Sequence, residues 1–172
     1  MCMEPTPWES AVKFHGHICP GIAIGYRVVM VAMREMYFEN IPQMDRWAVV
    51  DNKICPCGVD AIQVIAGCTT GNNNLLVREK RDEVYYFGVK DKPEALKILL
   101  KDSVWPAGDF FELRERVNTG KAEEEEKEQF RRSIALESQR VLEMPEEEFC
   151  AFSAVELCFN DLKEKQDDCR CQ

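Results

Sequence analysis

The chain has 172 residues, of which 45% are hydrophobic and 31% charged, with nine glycines and eight prolines. That composition excludes a collagenous or low-complexity chain and fits one globular domain with a small appendage. The formal charge of −9 gathers in residues 121–148, where ten acids face five bases. The first 120 residues hold no basic stripe able to follow a phosphate backbone, so nucleic acid is not an expected partner.

In chain order, Pro20 opens an apolar run over residues 21–36 that reads as a buried helix, with Cys19 near its N-cap. Residues 47–51 read as a short strand, and 58–66 as a second short helix that Gly67 can end. Residues 75–80 and 83–90 are β-rich and read as a hairpin turning at Arg81-Asp82. Residues 93–101 read as an amphipathic helix opening at proline, followed by helices near 109–117 and 121–142. The last of these is expected to present a solvated acidic face, with Glu123 and Lys127 paired at i,i+4. The expected fold class is α+β: a small mixed or antiparallel sheet packed with several helices, plus a short cysteine-rich C-terminal tail. Pro145 marks a break, dividing a core domain over residues 1–148 from the tail over 149–172. No internal repeat stands out. No apolar run approaches the ~20 residues a membrane span needs.

Nine cysteines, Cys2, Cys19, Cys55, Cys57, Cys68, Cys150, Cys158, Cys169 and Cys171, need a reason in a chain of this size. Nothing in Met1-Cys2-Met3-Glu4-Pro5 has the charge and apolar stretch of an export signal, so the expected compartment is the cytoplasm. In a reducing compartment, closely spaced cysteines point to metal ligation or thiol chemistry before disulfides.

The densest cluster is Phe14-His15-Gly16-His17-Ile18-Cys19-Pro20-Gly21, which holds both histidines of the chain. If this segment is extended, His15, His17 and Cys19 point to one side and form a facial set of two nitrogens and one sulfur. A helix N-terminus beginning at Pro20 is expected to favour the Cys19 thiolate. The second cluster is Cys55-Pro56-Cys57-Gly58-Val59-Asp60-Ala61-Ile62-Gln63, followed by Gly67-Cys68-Thr69-Thr70-Gly71. On a helix, Asp60 and Gln63 share a face while Ile62 and Ile65 turn to the core. Asp60 beside two thiols is a polar feature in an apolar helix; a helix-dipole role at an early turn explains it equally well. Cys68 alone reads more readily as a small buried residue than as a ligand.

These two clusters, with Gly25, Arg27 and Asn74-Leu75, resemble the signature motifs of the formylmethanofuran dehydrogenase E-subunit family over about residues 10–145. The resemblance implies an α+β core that dimerises. It also implies a metal pocket where the His-Gly-His-x-Cys-Pro segment meets the Cys-x-x-Asp-Ala-Ile-Gln helix. Carried over by position, it makes His17, Cys19 and Cys57 the leading metal ligands, with His15 joining them and Asp60, Gln63, Cys68, Thr69 and Cys55 lining the pocket. It implies a link to a molybdenum or tungsten oxidoreductase of methanogenesis, whose subunits would be partners beside a second copy of the chain. Two departures stand out. Asn72-Asn73-Asn74 follows Gly71 where family members commonly carry a lysine, and Cys158 with Cys169-Arg170-Cys171 replaces the paired knuckles of a C-terminal zinc finger. A tail metal site would draw on Cys158, Cys169 and Cys171, with Cys150 or Cys158 folding back.

Mixed nitrogen and thiolate donors suit zinc, with iron or nickel as alternatives. Two functions follow. In the first, the protein is a metal-binding accessory to the oxidoreductase, serving assembly, metal delivery or redox relay. In the second, it is a stand-alone zinc-dependent hydrolase or deacylase, with Asp60 as general base toward a metal-bound water. A disulfide redox protein using Cys55 and Cys57 is disfavoured, because Cys-x-Cys lacks the usual two-residue spacer.

Overall fold

The computed structural model describes residues 4–51, 56–79 and 83–167, with 164–167 described by backbone alone. Three helices converge at one end of the molecule. The first, α1 (Pro7–His15), begins with a reciprocal capping box. The Glu9 amide donates to Thr6 Oγ1 at 3.2 Å, and the Thr6 amide donates to Glu9 Oε2 at 2.8 Å. It ends at Gly16, whose φ of 90° is the left-handed conformation a helix C-terminus commonly takes. The second, α2 (Pro20–Glu35), is capped by Cys19, whose sulfur accepts from the Ile22 amide at 3.4 Å. The third, α3 (Cys57–Ala66), stops at Gly67 with φ 72°.

The sheet has five strands: β1 (Arg46–Asp51), β2 (Leu75–Arg78), β3 (Val84–Val89), β4 (Glu94–Leu100) and β5 (Cys150–Glu156). Their order is β2-β1-β3-β4-β5. β2 runs parallel to β1 and every other pairing is antiparallel, so the sheet is mixed and the α+β class holds. Because side chains alternate along a strand, Ala48, Val50, Tyr85, Phe87, Leu96 and Ile98 meet the buried helices in the main core. On the opposite face Trp47, Val49 and Ala95 form a smaller cluster with Leu162 of α7 (Phe159–Asp167). Trp47 stacks on Phe159 at 5.3 Å between ring centroids.

Two further helices, α4 (Phe110–Asn118) and α5 (Glu124–Glu143), form where the sequence leads one to expect them; they pack on one another, and α5 packs on α2. Arg27 of α2 ties this layer down. Its guanidinium donates to the Val141 carbonyl at 2.9 Å and to the Met144 carbonyl, and lies 4.3 Å from the centroid of Phe149. Phe149 ends the short α6 (Glu146–Phe149), which leads into β5. The acidic face of α5 is solvated, and Lys127 pairs with Glu124 at i,i+3 rather than with Glu123. Glu123 instead makes a capping box with Glu126.

Several expectations are corrected. The strands on either side of residues 80–82 do not form a hairpin. β1, buried along its whole length, lies between them and takes β2 as a parallel partner and β3 as an antiparallel one. Residues 94–100 form β4 and not a helix. The run Glu-Ala-Leu-Lys-Ile-Leu-Leu satisfies either period, and pairing with β3 on one side and β5 on the other decides for the strand. Cys150–Glu156, from the cysteine-rich C-terminal region, is the edge strand of the same sheet.

α2 and α3 approach each other backbone to backbone. Gly25 and Gly58 face each other, and a methyl group added to Gly58 would lie 3.0 Å from the Gly25 Cα and 3.3 Å from the Gly21 carbonyl oxygen. A methyl group on Gly25 would collide with the Gly58 backbone. Gly25→Ala must therefore push two buried helices apart. It is expected to destabilise the protein by about 1–3 kcal/mol, the usual cost of overpacking a core, or more, because the obstruction is backbone. Urea unfolding of wild type and variant measures this.

Candidate metal centre

His15 is the last residue of α1, Cys19 caps α2 and Cys57 is the first residue of α3. The segment carrying the two histidines is thus a helix end followed by a tight reversal at Gly16, and not one extended stretch. The reversal still brings His15, His17 and Cys19 together: their ligand atoms lie within 4.8 Å of one another. The imidazole rings of His15 and His17 sit 4.4 Å apart, centroid to centroid. His15 Nε2 is 3.6 Å from Cys19 Sγ. Nitrogen and sulfur donors bound tetrahedrally to one zinc ion stand about 3.6 Å apart, so the pair has the spacing of co-ligands. The Cys19 thiol also shares a hydrogen bond with Cys57.

The other ring nitrogen of His15, Nδ1, is 2.7 Å from Asp60 Oδ2. Asp60 sits one turn into α3, and Gln63 Nε2 donates to its Oδ1 at 3.3 Å. Both carboxylate oxygens are therefore engaged, one of them by the candidate ligand. An Nδ1–H donated to a carboxylate leaves Nε2 with its lone pair free toward Cys19, the tautomer a metal requires. Burial works against protonating His15, but Asp60 and Cys19, beside its two nitrogens, outweigh it and raise its pKa above the usual histidine value.

At Cys19 the helix N-terminus acts in the expected direction but does not prevail. The Ile22 amide of the helix N-terminus does favour its thiolate, but the hydrogen bond with Cys57 and burial act more strongly and push its pKa up. Without a cation, Cys19 is a neutral thiol at physiological pH.

A cavity of about 250 Å3 opens from His17, Cys19 and Cys57. Pro20, Gly21 and Ile24 of α2 form one wall, and the α4–α5 pair forms the other.

A sequence model described as FmdE, molybdenum formylmethanofuran dehydrogenase operon, matches residues 14–151. The chain belongs to the FmdE family. A protein of Archaeoglobus fulgidus described as a probable S-adenosyl-L-methionine-binding protein is 40% identical over 72 residues, 38% of this chain and 19% of that protein. The chain thus spans about a fifth of the length of that curated relative. A crystal structure of an FmdE-like protein of the tungsten formylmethanofuran dehydrogenase type, from Syntrophus aciditrophicus, is 22% identical, with a TM-score of 0.47, over 90% of this chain and 72% of that one.

His15, His17, Cys19, Cys57, Asp60 and Gln63 converge, whereas among the described residues the candidates Cys68, Thr69 and Cys158 stand apart from them. Cys68 follows the far end of α3 and is sealed in the main core, where burial pushes its pKa to about 12 despite the nearby Arg46. It is a core residue and not part of the cavity wall. Thr69 organises the loop after α3: its Oγ1 accepts from the Asn72 amide at 3.0 Å. Cys158 is exposed beside Phe159, and Cys150 is buried at the start of β5, where its pKa rises to about 11. Cys55, Cys169 and Cys171 lie outside the described residues, as does Cys2.

The second half of the family motif proves to be architectural. Asn74 is buried; its Oδ1 accepts from the Thr69 amide at 2.8 Å, and its Nδ2 donates to the Gln43 and Arg46 carbonyls at 3.2 and 2.9 Å. Arg46 in turn donates to the Ala66 carbonyl at 3.1 Å, at the C-terminus of α3. Asn74→Ala removes three hydrogen bonds to the backbone, one of them to the buried Arg46 carbonyl, and is expected to cost about 1–3 kcal/mol. Because Asn74 stands outside the donor cluster, metal binding per folded chain should stay at the wild-type level; thermal unfolding paired with metal analysis checks both.

Proposed function

We propose that this protein is a metal-binding accessory protein of a molybdenum or tungsten oxidoreductase of the formylmethanofuran dehydrogenase type, with zinc as its resident metal. The observation that carries the metal site is the His15–Cys19 pair at co-ligand spacing with His17 alongside. The donors are His15 Nε2, His17 and Cys19, and Cys57 adjoins them through its hydrogen bond to Cys19. Two imidazoles and thiolate sulfur form a borderline-soft set that suits zinc over magnesium or calcium, with iron and nickel as the other cations such donors accept. Bound there, zinc would supply Lewis acidity and hold the thiolates deprotonated at neutral pH.

In this reading Asp60 orients His15 and makes it a stronger donor. Its two engaged oxygens argue against the general-base role. The accessory role is supported by the family's association with the formylmethanofuran dehydrogenase operon. Assembly as a homodimer and residence in the cytoplasm belong to the same proposal. No helix among the described residues is long and apolar enough to cross a membrane. A stand-alone enzyme is the second reading, favoured by the cavity that gives small molecules access to His17 and Cys19.

His17→Ala and Cys19→Ala are each expected to lower bound metal well below one per chain in protein purified without chelator or affinity tag. Asp60→Asn should retain the metal with about 10–100-fold weaker affinity, the usual effect of losing a carboxylate behind a histidine ligand. Competition titration against a chromophoric zinc chelator separates the three variants, and unchanged metal content in both alanine variants would refute the site. For the accessory role, the untagged protein should co-purify with molybdenum- or tungsten-containing oxidoreductase subunits. Recovery of an isolated species carrying neither metal decides against that role.

A further inference from the structure

The far wall of the cavity holds a charge that the metal site does not need. Phe111, Arg114 and Asn118 recur at three- and four-residue intervals on α4 and all line the cavity, facing Phe130 and Ile134 on α5. The other basic groups of this helix pair are taken: Arg116 pairs with Glu126, Lys127 with Glu124, Arg131 and Arg132 with Glu128, and Arg140 with Glu137. Arg114 is half-buried, and among the described residues it makes no hydrogen bond or ion pair. Arg114, with no described partner, thus lines a cavity with aromatic walls within a strongly acidic helical hairpin, although carboxylates are abundant in both helices. A planar fork of donors in such a place matches a carboxylate better than any neutral group.

We propose that the cavity binds a small organic monocarboxylate with an apolar, ring-sized body. Its carboxylate would be read by Arg114 and its other end presented to His17, Cys19 and Cys57. The phenylalanine walls and Trp105 take the body by burial, and Arg114 selects the charge. This inference deepens the metal-site reading by naming what reaches that site. The carboxylate contact itself rests on Arg114 and not on a metal.

The probe is 4-phenylbutanoate, compared with the neutral 4-phenylbutanamide, titrated calorimetrically into the full-length protein as purified and again after chelator treatment. Wild type should bind the acid saturably and prefer it to the amide in both preparations. Arg114→Gln should weaken the acid about tenfold or more and abolish the preference while leaving bound metal unchanged, and Arg116→Gln should change neither. Cys19→Ala should lose metal yet keep the preference for the acid. Absence of saturable binding, equal affinity for acid and amide, or an Arg114→Gln variant that binds like wild type overturns the carboxylate site. Retained binding in a protein whose metal content is insensitive to His17→Ala and Cys19→Ala overturns the metal site alone.

Discussion

The glycine-to-glycine contact of α2 with α3 is the packing on which the candidate metal centre depends. Gly25 and Gly58 carry no side chains, so the two backbones meet directly. Cys19 stands at the N-terminus of α2 and Cys57 at that of α3, and they come within hydrogen-bond reach because no side chain separates the helices below them. The arrangement also points two helix N-termini at one cluster of sulfur and nitrogen atoms, a field that favours deprotonated ligands once a cation is present. The same packing leaves α1 to close the third side, where its C-terminal histidine reaches across to α3.

Electrostatically, the cluster is poised for a cation and poorly disposed without one. Cys19 holds its proton because a second thiol lies beside it and the site is partly dry. Against the effect of burial, a carboxylate and a sulfur flanking His15 raise its pKa. A soft divalent cation resolves both tensions at once: it replaces the thiol protons and takes the lone pair that Asp60 leaves free on His15. The chain orders this constellation through short connections, a single glycine reversal between α1 and the histidine-cysteine segment and an N-cap at the cysteine itself.

The loop that follows α3 shows how a motif can carry architecture as well as chemistry. Gly67, Thr69 and Asn74 adjoin or belong to the region that resembles a ligand-binding signature, yet their described contacts end the helix and link it to β1. Arg46 completes the junction by donating to the Ile41 and Ala66 carbonyls from a buried position. Motif membership alone did not separate Cys57, at the site, from Cys68, in the core, since both flank the same helix.

What could be read from the linear chain was whatever short-range sterics dictate. Pro20 after Cys19 sets a helix start with the cysteine as cap, Gly67 ends α3, and His15, His17 and Cys19 are too close along the backbone to stray far from one another. The period-two and period-3.6 patterns found α2, α3, α4, α5 and β1. They failed at residues 94–100, whose apolar residues suit either period, and at the apparent hairpin, because strand partners are chosen by elements far away in the chain. α1 escaped notice because its mixed pattern gives little period, although Thr6, Pro7 and Glu9 spell its capping box. The protonation of Cys19, the Asp60–His15 bond spanning 45 residues and the placing of Arg114 on the same cavity as Cys19 and Cys57 each arise from packing between separate helices. Local preference speaks only for the few residues a turn or cap can reach, whereas burial, partner and field are properties of the assembled core.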